Sequence, residues 1–312
     1  MRTYAWCTYR DWSFHVLEGL LDLPDWRCGL LITTEDCRTD LGHFERLGIP
    51  VLRIKPSVDL KAGGVGMQAL TALRPSAIFH YGWSWLVPRQ VLDLCPNVTL
   101  HPGKLPRDRG GSPIQNQIRN GEEVSFANLI RLVPELDEGP IYDREKFSLR
   151  GGDVDGVWAR MVSAGIVVSR RFLGAIAAGS AAAVPQDASV QPTIYKRVSP
   201  EQAELRLERQ TARQIYDVIR AHNETDSNTY VVRAWIELGD YKVVIDRADL
   251  DQPVDARLVL PDDRDWMDNP YETAHAVNDG AACLVLRGCD GRPVHLTRLR
   301  IAPMRPLAQR PE

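Results

Sequence analysis

Asn97-Val98-Thr99-Leu100-His101-Pro102-Gly103-Lys104-Leu105-Pro106-Arg107-Asp108-Arg109-Gly110-Gly111-Ser112-Pro113-Ile114-Gln115-Asn116-Gln117 is the stretch on which the fold turns. A short β-type run, Val98 to Leu100, carries His101 to its C-terminal end, and Pro102 stops it. Lys104 to Arg109 is a basic loop broken by Pro106. Ser112 is expected as an N-cap and Pro113 at the first position of a following helix. A strand end, a tight loop and a helix start are where open α/β sheets place ligands.

Upstream, strand-like and helix-like runs alternate. Arg2 to Thr8, Leu30 to Thr33, Val51 to Ile54 and Ala77 to His80 read as strands. Phe14 to Leu21, a run ending near Gly48, Gln68 to Leu73 and Val87 to Leu94 read as helices. Short, continuously apolar strands alternating with helices predict an α/β fold, a Rossmann-like, mostly parallel sheet covered on both faces. The turn after the first strand has no G-x-G-x-x-G, Gly63-Gly64-Val65-Gly66 follows no strand, and there is no P-loop, so a nicotinamide site is not expected.

Downstream, the β-rich run Ala127 to Val133 leads to Glu135-Leu136-Asp137-Glu138-Gly139-Pro140-Ile141. Asp137 beside a Gly-Pro turn and His101 at a strand end make an acid/base pair the natural expectation. Gly152 to Gly179 reads as a long helix capped by Asp153, with Val154, Val157, Trp158, Met161, Val168 and Phe172 on one stripe. Gly179 to Pro192, rich in Ala, Ser and Pro, reads as a linker. Glu201 to His222 reads as one helix. Tyr230 to Ile236, Tyr241 to Ile245, Ala282 to Leu286 and Val294 to Ile301 then suggest a small antiparallel barrel or sandwich, with Leu258 to Gly280 as an acidic excursion. Two domains are expected, 1–190 and 191–312.

The 312 residues carry a net charge of −3, with 44% hydrophobic and 25% charged side chains, an ordinary globular composition. No apolar run reaches the ~18–20 residues of a membrane span, and Met1 to Trp6 lacks a signal peptide's apolar core. Six cysteines without a C-x-x-C pair point to reduced thiols in a cytoplasmic protein, with no metal.

The loop resembles the folate-dependent formyltransferases, the family of methionyl-tRNA, glycinamide ribonucleotide and nucleotide-sugar N-formyltransferases. Their usual core reads Asn-x-His-Pro-Ser-Leu-Leu-Pro-x-x-Arg-Gly-x-x-Pro-Ile, which Thr99 to Ile114 resembles, and Leu136 to Ile141 is similar to their Asp-x-Gly segment. The similarity runs from about Ile78 to Leu149 and weakens at the N-terminus and over Thr193 to Ala203. It implies N10-formyltetrahydrofolate as cosubstrate and an OB-like C-terminal domain. It implies folate contacts from Tyr81, Gly82, Trp85, Leu86 and Val87, in a loop similar to the family's Tyr-Gly loop, and from Leu136 and Gly139. His101 and Asp137 match two members of the family's Asn-His-Asp trio.

The third member departs, for Thr99 stands where the family has Asn. Asn97 shares its face of the strand but lies about 6.6 Å further back, at ~3.3 Å per residue. Three accounts remain open. Thr99, with a water or Gln115, polarises the formyl oxygen, which is the working expectation; a bulge brings Asn97 forward; or the activity differs, as in a formyl-folate hydrolase or a non-catalytic folate- or nucleotide-binding sensor.

Formyl transfer to an amine passes through a tetrahedral intermediate, so it needs a proton acceptor and donors aimed at the oxyanion. An imidazole suits the first role, and a neighbouring carboxylate fixes its tautomer. Lys104, Arg107 and Arg109, with Gln115, are the candidate contacts for an anionic acceptor. A charge of −3 counts against a polyanionic partner. The expected acceptor is therefore a small amine, a nucleotide-linked amino sugar by preference, with methionyl-tRNA as the alternative. No membrane partner is expected, and a homodimer is compatible with the chain.

Overall fold

In the computed structural model, residues 1–223, 232–238, 241–250, 257–259 and 284–303 are described. The first unit is built on a seven-stranded sheet ordered β3-β2-β1-β4-β5-β7-β8. Its strands are β1 (Arg2–Cys7), β2 (Trp26–Thr34), β3 (Val51–Ile54), β4 (Ala77–His80), β5 (Asn97–Pro102), β7 (Val124–Arg131) and β8 (Ile141–Ser148). The first five are parallel, whereas β7 runs antiparallel to both its neighbours. The expected mostly parallel sheet is present, and the strand order reverses between β1 and β4.

Alternation along each strand sends side chains to two separate cores. Tyr4 and Trp6 of β1 and Phe79 of β4 enter one, while Ala5, Cys7 and Ile78 enter the other. In the first core Trp6 stacks on Phe79 with ring centroids 4.9 Å apart. Helix α7 (Val154–Ala177) covers this face beside α1 (Asp11–Glu18). Asp153 caps α7, accepting from the Gly156 N–H at 3.0 Å, and its stripe Val154, Val157, Met161, Val168 and Phe172 is buried as its spacing requires. The opposite face is covered by α3 (Pro56–Asp59), α4 (Val65–Leu73) and α5 (Arg89–Leu92), while α2 (Gly42–Arg46) lays Phe44 into the first core.

Three local expectations need correction. Ser112 does precede α6 (Pro113–Arg119), with Pro113 at its first turn, but its backbone is left-handed (φ 47°). Its hydroxyl accepts from the Val198 N–H at 3.3 Å instead of capping the helix. Glu201 to His222 is not one helix: a 3-10 turn (Pro200–Ala203) and α8 (Ala212–Ala221) are separate, because Thr211 starts α8 afresh with a capping box to Gln214. The stretch 179–192 is not a free linker. Val184 bridges Ile141, and two-residue strands β6 (Arg109–Gly110) and β9 (Ile194–Tyr195) pair in parallel, so the chain returns across the loop that follows His101 before leaving.

The second unit is β-rich. Strands β10 (Ala234–Leu238), β11 (Tyr241–Asp249), β14 (Pro293–Pro303) and β12 (Arg257–Val259) line up in that order, with β13 (Leu284–Arg287) against β14. Its core joins Ile215, Val218 and Ile219 of α8 to Ile236, Val243, Ile245 and Leu299. The acidic excursion expected between Leu258 and Gly280 lies, apart from 258–259, outside the described residues. No described helix is long and apolar enough to cross a membrane.

Candidate active site

The site forms where β5 ends, at the C-terminal edge of the parallel strands. His101 is 5% exposed, and both its ring nitrogens face oxygen. Nε2 donates to the Asp108 carbonyl at 2.6 Å, and Nδ1 lies 3.3 Å from Asp137 Oδ2. The expected His101–Asp137 pair is therefore brought together. With Nε2 donating, the approach of Nδ1 to a carboxylate oxygen is attractive only if a proton lies between them.

The two residues gripping the imidazole both have left-handed backbones, Asp108 at φ 65° and Asp137 at φ 53°. Aspartate enters this region more readily than most residues because its short side chain bonds locally. Asp108 Oδ2 accepts the Lys104 N–H at 3.0 Å, and Asp137 Oδ2 accepts the Gly110 N–H at 2.8 Å. Such strain persists only where surroundings over-determine it. Here they do: the Asp108 N–H donates to Thr193 Oγ1 at 2.9 Å, and the Asp137 carbonyl accepts from Gln186 Nε2 at 2.6 Å.

Asp108, Gln186 and Thr193 were not singled out from the sequence. Asp108 sits inside the quoted loop, where its tolerance of φ > 0 was the available signal. Gln186 and Thr193 lie in polar, Pro-rich sequence with no chemical pattern of its own.

Thr99 and Asn97 are both committed elsewhere. The Thr99 hydroxyl donates to the His80 carbonyl at 2.8 Å, so its one hydrogen is not offered to a ligand. Asn97 is 3% exposed; Oδ1 bonds His80 Nε2 at 2.8 Å and Nδ2 donates to the Cys95 carbonyl at 2.8 Å. No bulge brings it forward, since β5 pairs regularly with β7 from Val98 to Pro102. Because Asn97 Nδ2 is spent on carbonyls, Oδ1 must accept, which fixes His80 as the Nε2–H tautomer. Burial pushes the His80 imidazole down to about 4, an effect its Asn97 hydrogen bond only partly offsets.

The basic cluster is largely neutralised within the chain. Lys104 pairs with Glu122, and Arg109, itself buried, meets Glu138 at 2.8 Å. Arg107 is exposed and has no charged partner among the described residues. Gln115, expected to meet a substrate, is buried in α6.

The residues expected against a cofactor divide in two. Tyr81 is fully buried, its hydroxyl 2.7 Å from Ser169 Oγ, so its ring belongs to the core. Gly139 is also buried, because a Cβ there would stand 1.8 Å from the Arg131 carbonyl oxygen. Leu86 and Leu136 are, by contrast, 87% and 60% exposed. Trp85, Val87 and Gly82 are half-buried. Trp85 packs edge-on to Tyr9 at 4.9 Å, and Ser84 ties the loop to Tyr9 Oη at 2.7 Å. A cleft of about 330 Å³ opens beside the site between Pro106, Arg109, Glu138, Pro140, Gln186 and Val190.

No family model matches the chain. The methionyl-tRNA formyltransferase of Kosmotoga olearia is 32% identical over 181 residues, 56% of either chain, so this chain matches little more than half the length of that curated relative. The methionyl-tRNA formyltransferase of Mycobacterium ulcerans is 31% identical over 250 residues, 79% of this chain and 76% of that one. Among solved structures, the N-formyltransferase of Helicobacter canadensis, in complex with folinic acid and dTDP-3-aminofucose, shares the fold with a TM-score of 0.63. That match has 12% identity and covers 95% of this chain and 99% of the other. The extent of the Mycobacterium ulcerans match places the sequence in a known group: the chain belongs to the folate-dependent formyltransferase family.

Proposed function

We propose that the chain moves a formyl group from N10-formyltetrahydrofolate to a primary amine. The observation that carries this reading is the buried His101, held between the Asp108 carbonyl and the Asp137 carboxylate at a strand end. The amine nitrogen bonds to the formyl carbon, and the bond from that carbon to N10 breaks. The amine gives up one proton and N10 gains one, so the reaction needs a group that both takes and returns a proton. The His101–Asp137 pair has that capacity through the proton between Nδ1 and Oδ2. Thr99 gives its hydrogen to His80 and both His101 ring nitrogens face oxygens of Asp108 and Asp137, so neither side chain holds a free N–H or O–H for the developing oxyanion in this arrangement.

The exposed apolar faces of Leu86 and Leu136, with Trp85 between core and solvent, support a place for a flat folate ring. For the acceptor the preferred reading is a small amine on a nucleotide-linked sugar. The net charge of −3 and the internal pairing of Lys104 and Arg109, which leaves Arg107 as the exposed cation of this cluster, weigh against a polyanion at the loop. The 330 Å³ cleft is at the small end of ligand sites, which run to roughly 1,000 Å³. A second reading, methionyl-tRNA as acceptor, is favoured by the curated relatives that carry that name.

The test is incubation of the purified chain with N10-formyltetrahydrofolate and a panel of nucleotide amino sugars, amino acids and methionyl-tRNA, read by mass spectrometry. A formyl mass gain on a sugar amine, lost in His101→Ala, is the expected result. A gain confined to methionyl-tRNA selects the second reading. Tetrahydrofolate release with no formylated amine means a hydrolase, and folate binding without any turnover means a sensor; either defeats the proposal.

A further inference from the structure

One side chain from the stretch 179–192 makes four contacts with the backbone and side chains of the site. Gln186 Nε2 donates to the Asp137 carbonyl at 2.6 Å and to the Gly139 carbonyl at 3.0 Å. Its Oε1 accepts from Arg109 Nη2 at 2.8 Å and Nε at 3.2 Å. The orientation of this amide is not arbitrary. Reversed, it would set its oxygen against two carbonyls and its NH₂ against a guanidinium, neither of which can bond.

Asp137 needs such a hold. Its left-handed backbone is uphill for a residue other than glycine. From the other side, Gly139 is pressed against the Arg131 backbone. Gln186 therefore closes a turn whose carbonyls face the amide while its carboxylate faces His101. Arg109 in turn is held by Glu138 from that same turn, so Gln186, Arg109 and Glu138 make a closed ring around it.

We infer that Gln186 is a positioning residue, fixing the turn at 137–139 so that the Asp137 carboxylate meets the His101 imidazole. It touches no reacting atom in this scheme and acts through Asp137. Its kinetic consequence rests on the formyl-transfer reading; its structural consequence does not.

Gln186→Glu keeps the size of the side chain and its contact with Arg109 but loses both donors. In that variant kcat falls by about 10–100-fold while KM for both substrates stays within ~3-fold, the mark of a lost transition-state arrangement. Placed on Asp137→Asn, the same change lowers kcat by less than ~3-fold further, because the two act as a unit. A second measurement needs no turnover. In histidine-labelled protein without substrate, the His101 imidazole signals, identified by their loss in His101→Ala, move in Gln186→Glu in the direction they move in Asp137→Asn. If wild type formylates no amine, this arm still decides the inference while the functional reading fails. Should Gln186→Glu not fold, Gln186→Met, of similar length and without donors, is read in the same two ways. Wild-type kcat in the variant, fully additive losses, or imidazole signals that stay in place would overturn the inference.

Discussion

The Thr99 hydroxyl donates to the His80 carbonyl at 2.8 Å, tying β5 to β4 beyond the point where their ladder of paired residues ends at Phe79 and Val98. The bond is structural in character. Thr99→Val should therefore lower stability by about 1 kcal/mol, the net value of a hydrogen bond. Turnover should stay within ~3-fold, since catalytic donors to an oxyanion are worth ~10²–10³. Urea unfolding and steady-state kinetics check both halves. A hundredfold loss of kcat with unchanged stability would return the polarising role to Thr99.

His101 and Asp137 should behave as one device. His101→Ala and Asp137→Asn are each expected to reduce kcat by about 10²–10⁴-fold, the range of one acid/base group. The double variant should be little worse than the poorer single one. Far-UV circular dichroism guards against misfolding. Near-wild-type turnover in His101→Ala would remove the pair from the chemistry.

Gly139 tests the turn itself. An added Cβ would stand 1.8 Å from the Arg131 carbonyl oxygen, a backbone atom of β7 that has nowhere to go. Gly139→Ala should cost about 3 kcal/mol or more. Gly174→Ala is the counterpart: on exposed α7 backbone, with nothing within 4 Å of the new methyl, it should add roughly 0.5–1 kcal/mol. Chemical denaturation of the two variants measures both, and a tolerated Gly139→Ala would mean that the turn is not pressed against β7.

The buried histidines set an acid limit. Burial lowers His80 to about 4 and, as its leading cause, His222 to about 4 as well. In the unfolded chain both titrate near ~6.5. Between those values the unfolded state binds the extra protons, so stability falls as pH drops from about 6.5 towards 4, and neither group matters above that window. Replacing His80 by Gln, which can still donate to Asn97, should make the fall shallower. Unfolding free energies at pH 7.5, 6 and 5 give the two slopes. Equal slopes would mean that His80 takes up no proton on unfolding.

The parallel sheet was legible because its strands are apolar and alternate with helix-like runs, although the helices between them carry no side-chain N-cap; the ordinary cap signal, Asp153, belongs to α7, which follows the sheet's last strand. His101 and Asp137 were legible because each stands at a strand end or turn beside residues of fixed conformational preference. What the sequence hid was mainly tertiary. Tyr81 lies in a loop that resembles a ligand contact, yet its hydroxyl finds Ser169, 88 residues away, and the ring goes to the core. Lys104 and Arg109 look like an anion site until Glu122 and Glu138 are placed beside them. The stretch 179–192 has the composition of a linker, and composition does not report the four hydrogen bonds of Gln186. Thr99 and Asn97 are spent on His80 for a reason local pattern cannot carry, the meeting of β4 and β5.

The return of the chain through Thr193 to Tyr195 has a consequence for the order of events at the ribosome. The hydrogen bond between Asp108 and Thr193 spans 85 residues, and closing so long a loop is entropically late. All seven strands of the main sheet have been made before Gln186 emerges. A nascent chain can thus assemble the scaffold, with His101 already at its strand end, while the turn bearing Asp137 still lacks its outer clasp. Competence then arrives after foldedness.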